Sequence, residues 1–112
     1  MARSDRSRRV AEQIKRHLSV LINREVSDPR LGMVGVSSVV LSKDYKTATV
    51  YINVFKEEQV EDSMAALSSA TSFLRKQLSQ TLNQRGTPKL VFEYDTSIKD
   101  GIALVNLIDS VQ

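Results

Sequence analysis

Val10, Ile14, Leu18, Leu21 and Ile22 recur at helical spacing and predict an amphipathic helix from about Ser7 to Glu25. Asp5 or Ser7 is the expected N-cap, and Asp28-Pro29 should end the segment, because proline restricts the residue before it. The period then shortens to two. Val36–Leu41 is a β-branched run, and in Thr47–Phe55 the residues Ala48, Val50, Ile52 and Val54 alternate with Thr47, Thr49, Tyr51 and Asn53. Two such strands around the polar segment Ser42-Lys43-Asp44-Tyr45 predict an antiparallel hairpin with one face on a core. Helical spacing returns with Met64, Leu67, Leu74, Leu78 and Leu82, with Asp62 or Ser63 as the expected cap. A straight helix would carry Thr71 inside that stripe and Phe73 away from it. The defect falls on Ser68-Ser69-Ala70-Thr71-Ser72, whose hydroxyls bond back to carbonyls and bend helices, so two short helices in series are expected. Arg85-Gly86-Thr87-Pro88 reads as a turn, Leu90–Tyr94 as a third strand, and Ile98 to Val111 as a short helix weakened by Gly101.

The expected order is α-β-β-α-kink-α-β with a short C-terminal helix. It describes an α+β two-layer domain, a three-stranded sheet with helices on one face. A chain of 112 residues without a repeat or linker is expected to form one domain, 1–112, with about five N-terminal and about ten C-terminal residues loosely held.

Charge adds direction to this picture. The net charge is only +3, but residues 1–24 hold seven basic and two acidic side chains. Four acids without a base follow over 57–74, four bases without an acid over 75–89, and four acids with one base over 90–112. Such blocks suit a polyanion partner such as nucleic acid, or else describe a solvated surface. Arg9 and Arg16 lie seven apart on the first helix, as do Arg8 and Lys15, and both lines fall outside the apolar stripe. Absence of cysteine excludes a disulfide framework and thiolate chemistry. No apolar stretch is long enough to span a membrane, and the charged N-terminus does not read as a secretory signal.

Catalytic constellations are hard to assemble. His17 flanks the apolar stripe without an identifiable partner, and Glu57, Glu58, Glu61 and Asp62 suit a solvated loop and a helix N-terminus better than a metal. A hydrolase using Asp95, Ser97 and His17 would need distant segments to converge. Gly32-Met33-Val34-Gly35 matches the G-x-x-G of KH domains, but it lies between a helix and a strand and is expected to be a structural turn. The helix-helix junction, where that loop belongs in a KH domain, holds Ser69-Ala70-Thr71-Ser72, followed by Arg75 and Lys76.

Several segments, in order and at compatible spacing, carry a resemblance along essentially the whole chain. They are Arg9-Val10-Ala11-Glu12-Gln13-Ile14, Asp28-Pro29-Arg30-Leu31-Gly32-Met33, Ala48-Thr49-Val50-Tyr51, Ala70-Thr71-Ser72-Phe73-Leu74-Arg75, Thr87-Pro88-Lys89-Leu90, Phe92-Glu93-Tyr94-Asp95-Thr96-Ser97-Ile98 and Gly101. With them the chain resembles the ribosome-binding factor A family of small-subunit assembly factors. The resemblance implies a type II KH-like fold whose G-x-x-G is replaced by an Ala-x-Gly helix kink. Here Ala70 matches the alanine, Thr71 the middle position, and Ser72 stands where the motif has glycine. It also implies a non-catalytic protein without a cofactor. Its partners would be the immature small (30S) ribosomal subunit and its ribosomal RNA near the decoding region, with roles in 5′-end maturation and growth in the cold. The expected location is the bacterial cytoplasm, or an organellar matrix or stroma. Many members carry a longer basic or disordered C-terminal tail, so with a sequence ending at Gln112 any tail-dependent contact is expected to be either absent or trimmed away.

The RNA-binding residues expected on this reading are Arg8, Arg9, Lys15, Arg16, Arg30, Arg75, Lys76, Arg85 and Lys89, with Tyr51 placed to stack on a base if its sheet face is solvated. The protein should be a monomer off the ribosome, with no membrane or small-molecule partner. The alternative is a basic protein-interaction module that binds an acidic protein.

Overall fold

Helix α1 (Ala2–Glu25) leads into strands β1 (Val34–Leu41) and β2 (Thr47–Val54), helices α2 (Val60–Ser69) and α3 (Thr71–Leu82), and strand β3 (Lys89–Tyr94). The structure, a computed structural model, describes residues 2–82 and 86–96; the helix expected from Ile98 to Val111 lies outside them. The architecture is α+β, in the order read from the sequence. α1 begins earlier than expected, so Asp5 and Ser7 lie within the helix and do not cap it. Alanine and arginine are good helix formers, and extending a nucleated helix upstream through them costs little.

The three strands lie in the order β1-β2-β3. β1 and β2 form the antiparallel hairpin, closed by a Ser42 N–H bond to the Thr47 carbonyl (2.9 Å) and a Tyr45 N–H bond to the Ser42 carbonyl (3.0 Å). β3 adds to β2 in parallel, from Thr47↔Lys89 to Ile52↔Tyr94. A parallel pair needs a long crossover, here supplied by α2 and α3.

Val34 and Gly35 belong to β1, paired with Val54 and Asn53, so the expected turn at Gly32–Gly35 is half strand. The register shifts between Val36 and Ser38, where Ser37 is the extra residue of a β-bulge. This bulge moves the inward set from Val34 and Val36 to Val39 and Leu41, which explains why β1 shows no simple alternation. β2 needs no such device: Ala48, Val50 and Ile52 are fully buried. They meet Ile14, Leu18 and Ile22 of α1, Leu67 of α2, Leu74 and Leu78 of α3, and Leu90 of β3 in one apolar core. Burial of each large side chain is worth about 1.5–3 kcal/mol.

The interruption between α2 and α3 is a single residue. Ala70 leaves the helical range (φ −89°, ψ 0°), and its N–H is shared between the Ala66 and Leu67 carbonyls at 3.0 and 3.1 Å. The Thr71 hydroxyl donates back to the Leu67 carbonyl (3.0 Å), the bond expected of the hydroxyl run, and Ser72 is exposed in the first turn of α3. At the other end of α2 the expected caps are absent. A 3-10 turn at Glu57–Gln59 runs into the helix, and Asp62 and Ser63 lie inside it. Ser63 is fully buried, and its Oγ accepts the Gly32 N–H (2.9 Å), fastening the α1–β1 connector to α2. Gly32 is held so close that a Cβ there would strike the Gln59 side chain.

Gly86 sits at φ +71°, and a Cβ there would meet nothing within 4 Å. Gly86→Ala therefore tests backbone strain alone. It is expected to cost about 1–2 kcal/mol, read as a lower denaturant midpoint with an unchanged slope.

Candidate nucleic-acid interface

On α1, Arg8, Arg9 and Arg16 are exposed and Lys15 is half-buried. Arg8 lines a groove with Glu12 of its own helix, Val39 to Leu41 of β1, and Lys43 and Tyr45 of the hairpin loop. Tyr45 adopts a left-handed backbone (φ 60°) in this loop. Asp44 is tied down beside it, its Oδ1 accepting from the Ser42 hydroxyl (2.7 Å) and the Lys46 N–H (3.0 Å). These bonds, the Ser42 hydroxyl first, hold the Asp44 carboxyl below the usual carboxylate range. Arg9 and Arg16 fall on the outer side of α1, away from the groove that Arg8 lines.

Arg30 is brought to the helix kink. Its guanidinium forks onto Asp28 (Nη2 to Oδ2 2.7 Å, Nε to Oδ1 3.1 Å) and reaches Ser69 Oγ at 3.1 Å. The Asp28 carboxyl also accepts the Arg30 backbone N–H (2.9 Å), an Asx turn that ends the segment after α1. Hydrogen bonding from the Arg30 side chain holds Asp28 below the ordinary carboxylate range. This cation thus arrives with its own counter-charge. Glu25, Asp28, Ala66, Ala70 and the exposed Phe73 line the groove beside it.

Arg75 and Lys76 are exposed on α3 and line a third groove with Ser72, Ser79, Gly86 and Thr87. Arg75 is partly structural: its Nε and Nη2 donate to the Thr87 carbonyl at 3.3 and 2.9 Å, docking the turn before β3 onto the helix. Two residues on, Lys89 is exposed, and its N–H donates to the Lys46 carbonyl (2.8 Å).

Backbone pairing brings Lys89 beside Lys46 at the sheet end where β2 and β3 begin, and Arg75 holds the Thr87 carbonyl two residues before Lys89. The hairpin loop continues from Lys46 to Lys43 and the groove that Arg8 lines. Arg30 lies at the kink, in the groove that reaches Phe73 of α3, and no described contact links Arg30, Arg9 or Arg16 to this rim. Arg85 lies outside the described residues. Lys46 escapes a reading of the sequence because it sits in a short loop with Asp44. Only the parallel register, with Lys89 opposite Thr47, reveals its neighbourhood. Tyr51 is half-buried on the sheet face opposite the core, in register with Ser38 and Glu93.

The hydrolase constellation does not assemble among the described residues. The Ser37 hydroxyl donates to Asp95 Oδ2 (2.5 Å), no hydrogen bond joins Asp95 to the half-buried His17, and Ser97 lies outside them. Among the described residues no three His, Cys, Asp or Glu side chains are grouped to hold a metal, and no helix is long and apolar enough to cross a membrane.

Fold and surface together define the class: a small α+β domain that presents basic side chains around one end of its sheet. Residues 6–108 match the family model for ribosome-binding factor A. The ribosome-binding factor A of Azotobacter vinelandii is 40% identical over 108 residues, covering 93% of this chain and 84% of its own length. The crystal structure of ribosome-binding factor A from Thermus thermophilus superposes with a TM-score of 0.72 at 35% identity, covering 79% of this chain and 93% of that one. A Thermus thermophilus homology model fitted into a cryo-EM map of a complex with the 30S subunit gives 0.66 at 36% identity, covering 77% and 91%. The chain belongs to the ribosome-binding factor A family.

Proposed function

We propose that the protein is a non-catalytic assembly factor that binds the immature small ribosomal subunit through its ribosomal RNA. It acts late in maturation, supports processing of the RNA 5′ end, and works as a monomer off the ribosome in the bacterial cytoplasm. The observation that carries the reading is the basic rim formed by Arg8, Lys46, Arg75, Lys76 and Lys89. The chain's likeness to a Thermus protein fitted into a 30S complex supports the choice of partner. Phosphate contacts from such a rim supply affinity, and the fit of the domain to the folded RNA supplies placement.

The test is co-sedimentation with purified immature small subunits across a salt series. Binding should weaken steeply with salt, and log K should fall linearly with log salt at a slope of several units, about 0.7–0.9 per phosphate neutralised. A near-zero slope would sink this reading, and binding that survives nuclease digestion of the RNA would sink it in favour of an acidic protein as the partner.

A further inference from the structure

We propose that the sheet end opposite the basic rim docks a second partner: a lysine- or arginine-rich segment of a small-subunit protein, anchored on Met33 and Phe55. The proposal rests on the reading above for its setting, the immature small subunit, and adds a protein contact at the far end of the domain.

Met33 precedes β1 and Phe55 follows β2. The Phe55 N–H donates to the Met33 carbonyl (3.1 Å), so the two residues continue the register of the hairpin and face each other across it. Val34 and Val54, the next pair along the strands, pack against the core. Met33 and Phe55 do not. They are 70% and 69% exposed, more than any other large apolar side chain among the described residues. Folding gains little from either, whereas a partner that covers them gains their full burial. Phenylalanine and methionine are the kinds of side chain enriched where proteins meet.

Gly35 extends this surface. It pairs with Asn53 and, by strand alternation, shares a face with Met33. Its backbone is not left-handed, and a Cβ there would meet nothing within 4 Å. The strand beside the apolar pair is therefore open, and a partner side chain can lie directly on its backbone.

Charge selects the occupant. Residues 31–42 carry no charge, and residues 47–74 hold one base, Lys56, against four acids. Those acids, Glu57, Glu58, Glu61 and Asp62, are all exposed. The connector before β1 fastens them to this end of the sheet. The Gln59 side chain lies against Gly32, and Ser63 Oγ accepts the Gly32 N–H (2.9 Å), one residue before Met33. Lys46 of the basic rim is separated from Phe55 by the length of β2, about 30 Å. Screening at physiological salt acts over about 8 Å, so the rim does not offset the acids. A phosphate backbone is repelled here and a cationic protein segment attracted.

Two measurements on the full chain test this. The first is affinity for purified immature small subunits, read by co-sedimentation at moderate salt. Met33→Ala with Phe55→Ala should weaken binding about tenfold while melting as the parent does. Glu58→Lys with Glu61→Lys should also weaken binding several-fold, although it makes the chain more basic. Contacts to RNA alone would be strengthened by that reversal. Undiminished affinity in the alanine pair, or unchanged or tighter binding after the reversal, overturns the proposal.

The second measurement places p-benzoylphenylalanine at position 55 and irradiates the complex with small subunits. A cross-link to a lysine- or arginine-rich peptide of a small-subunit protein is expected. A cross-link to RNA, to a second copy of this chain or to residues 97–112 of the same chain overturns the proposal, and so does the lack of any. If Lys76→Glu with Lys89→Glu abolishes sedimentation while the alanine and Glu58/Glu61 variants sediment as the parent, the functional reading stands and this surface falls. If the parent itself does not sediment with small subunits, the functional reading falls, and the assignment of this partner falls with it.

Discussion

Ile52→Ala is expected to destabilise the folded chain by about 2–5 kcal/mol, the range for removing most of a buried aliphatic side chain and leaving a cavity. Ile52 is fully buried in the central strand, with Val36 opposite it on β1 and Tyr94 on β3. Its loss touches all three strands at once. A domain of this size has a total stability of about 5–15 kcal/mol, so the variant should melt roughly 10–25 °C lower. Phe55→Ala is the matched control. Phe55 is larger but 69% exposed just beyond β2, and its replacement should change stability by less than about 0.5 kcal/mol. Comparable losses at both positions would show that the core is not where the sheet places it.

Reversal of two rim charges, Lys76→Glu with Lys89→Glu, is expected to weaken small-subunit binding on the order of 10²-fold or more at moderate salt. Both side chains are exposed, and neither ammonium holds another described residue, so the fold should melt as the parent does. Arg75→Glu is the less informative change, because it also breaks the two bonds to the Thr87 carbonyl. The contrast comes from Arg30→Glu. Arg30 is already paired with Asp28, and its reversal should disturb the α1–β1 connector more than RNA affinity. Double reversal with undiminished sedimentation would remove the rim from the interface.

Periodicity makes most of the fold legible. The alternation of β2 runs the length of the strand, and the stripe of α1 places that helix and its end, though not its start, which lies upstream of Ser7. The kink is legible for a chemical reason: hydroxyls inside an apolar stripe compete for backbone carbonyls, and the Thr71 bond to Leu67 is the expected one. What escapes is set by contacts between segments. Ser63 looks like a cap in sequence and serves as a buried acceptor for Gly32, thirty-one positions earlier. The bulge at Ser37 hides the inward face of β1. Composition groups the cations on α1 with those around position 75, whereas the strand register decides which meet: Lys46 and Lys89 do, and no described contact brings in Arg9 or Arg16. The partly structural role of Arg75 likewise follows from the path of the turn at Gly86, which local sequence does not encode.

The parallel pairing of β2 with β3 has a kinetic consequence. It joins residues about forty positions apart, from Thr47 to Lys89, whereas the β1–β2 hairpin closes over a handful. On the nascent or refolding chain the hairpin and the helices form from local encounters, and β3 docks only after both crossover helices exist. The Thr87 turn and Lys89 then reach Arg75 and Lys46 in that last step, so the basic rim is completed only as folding ends.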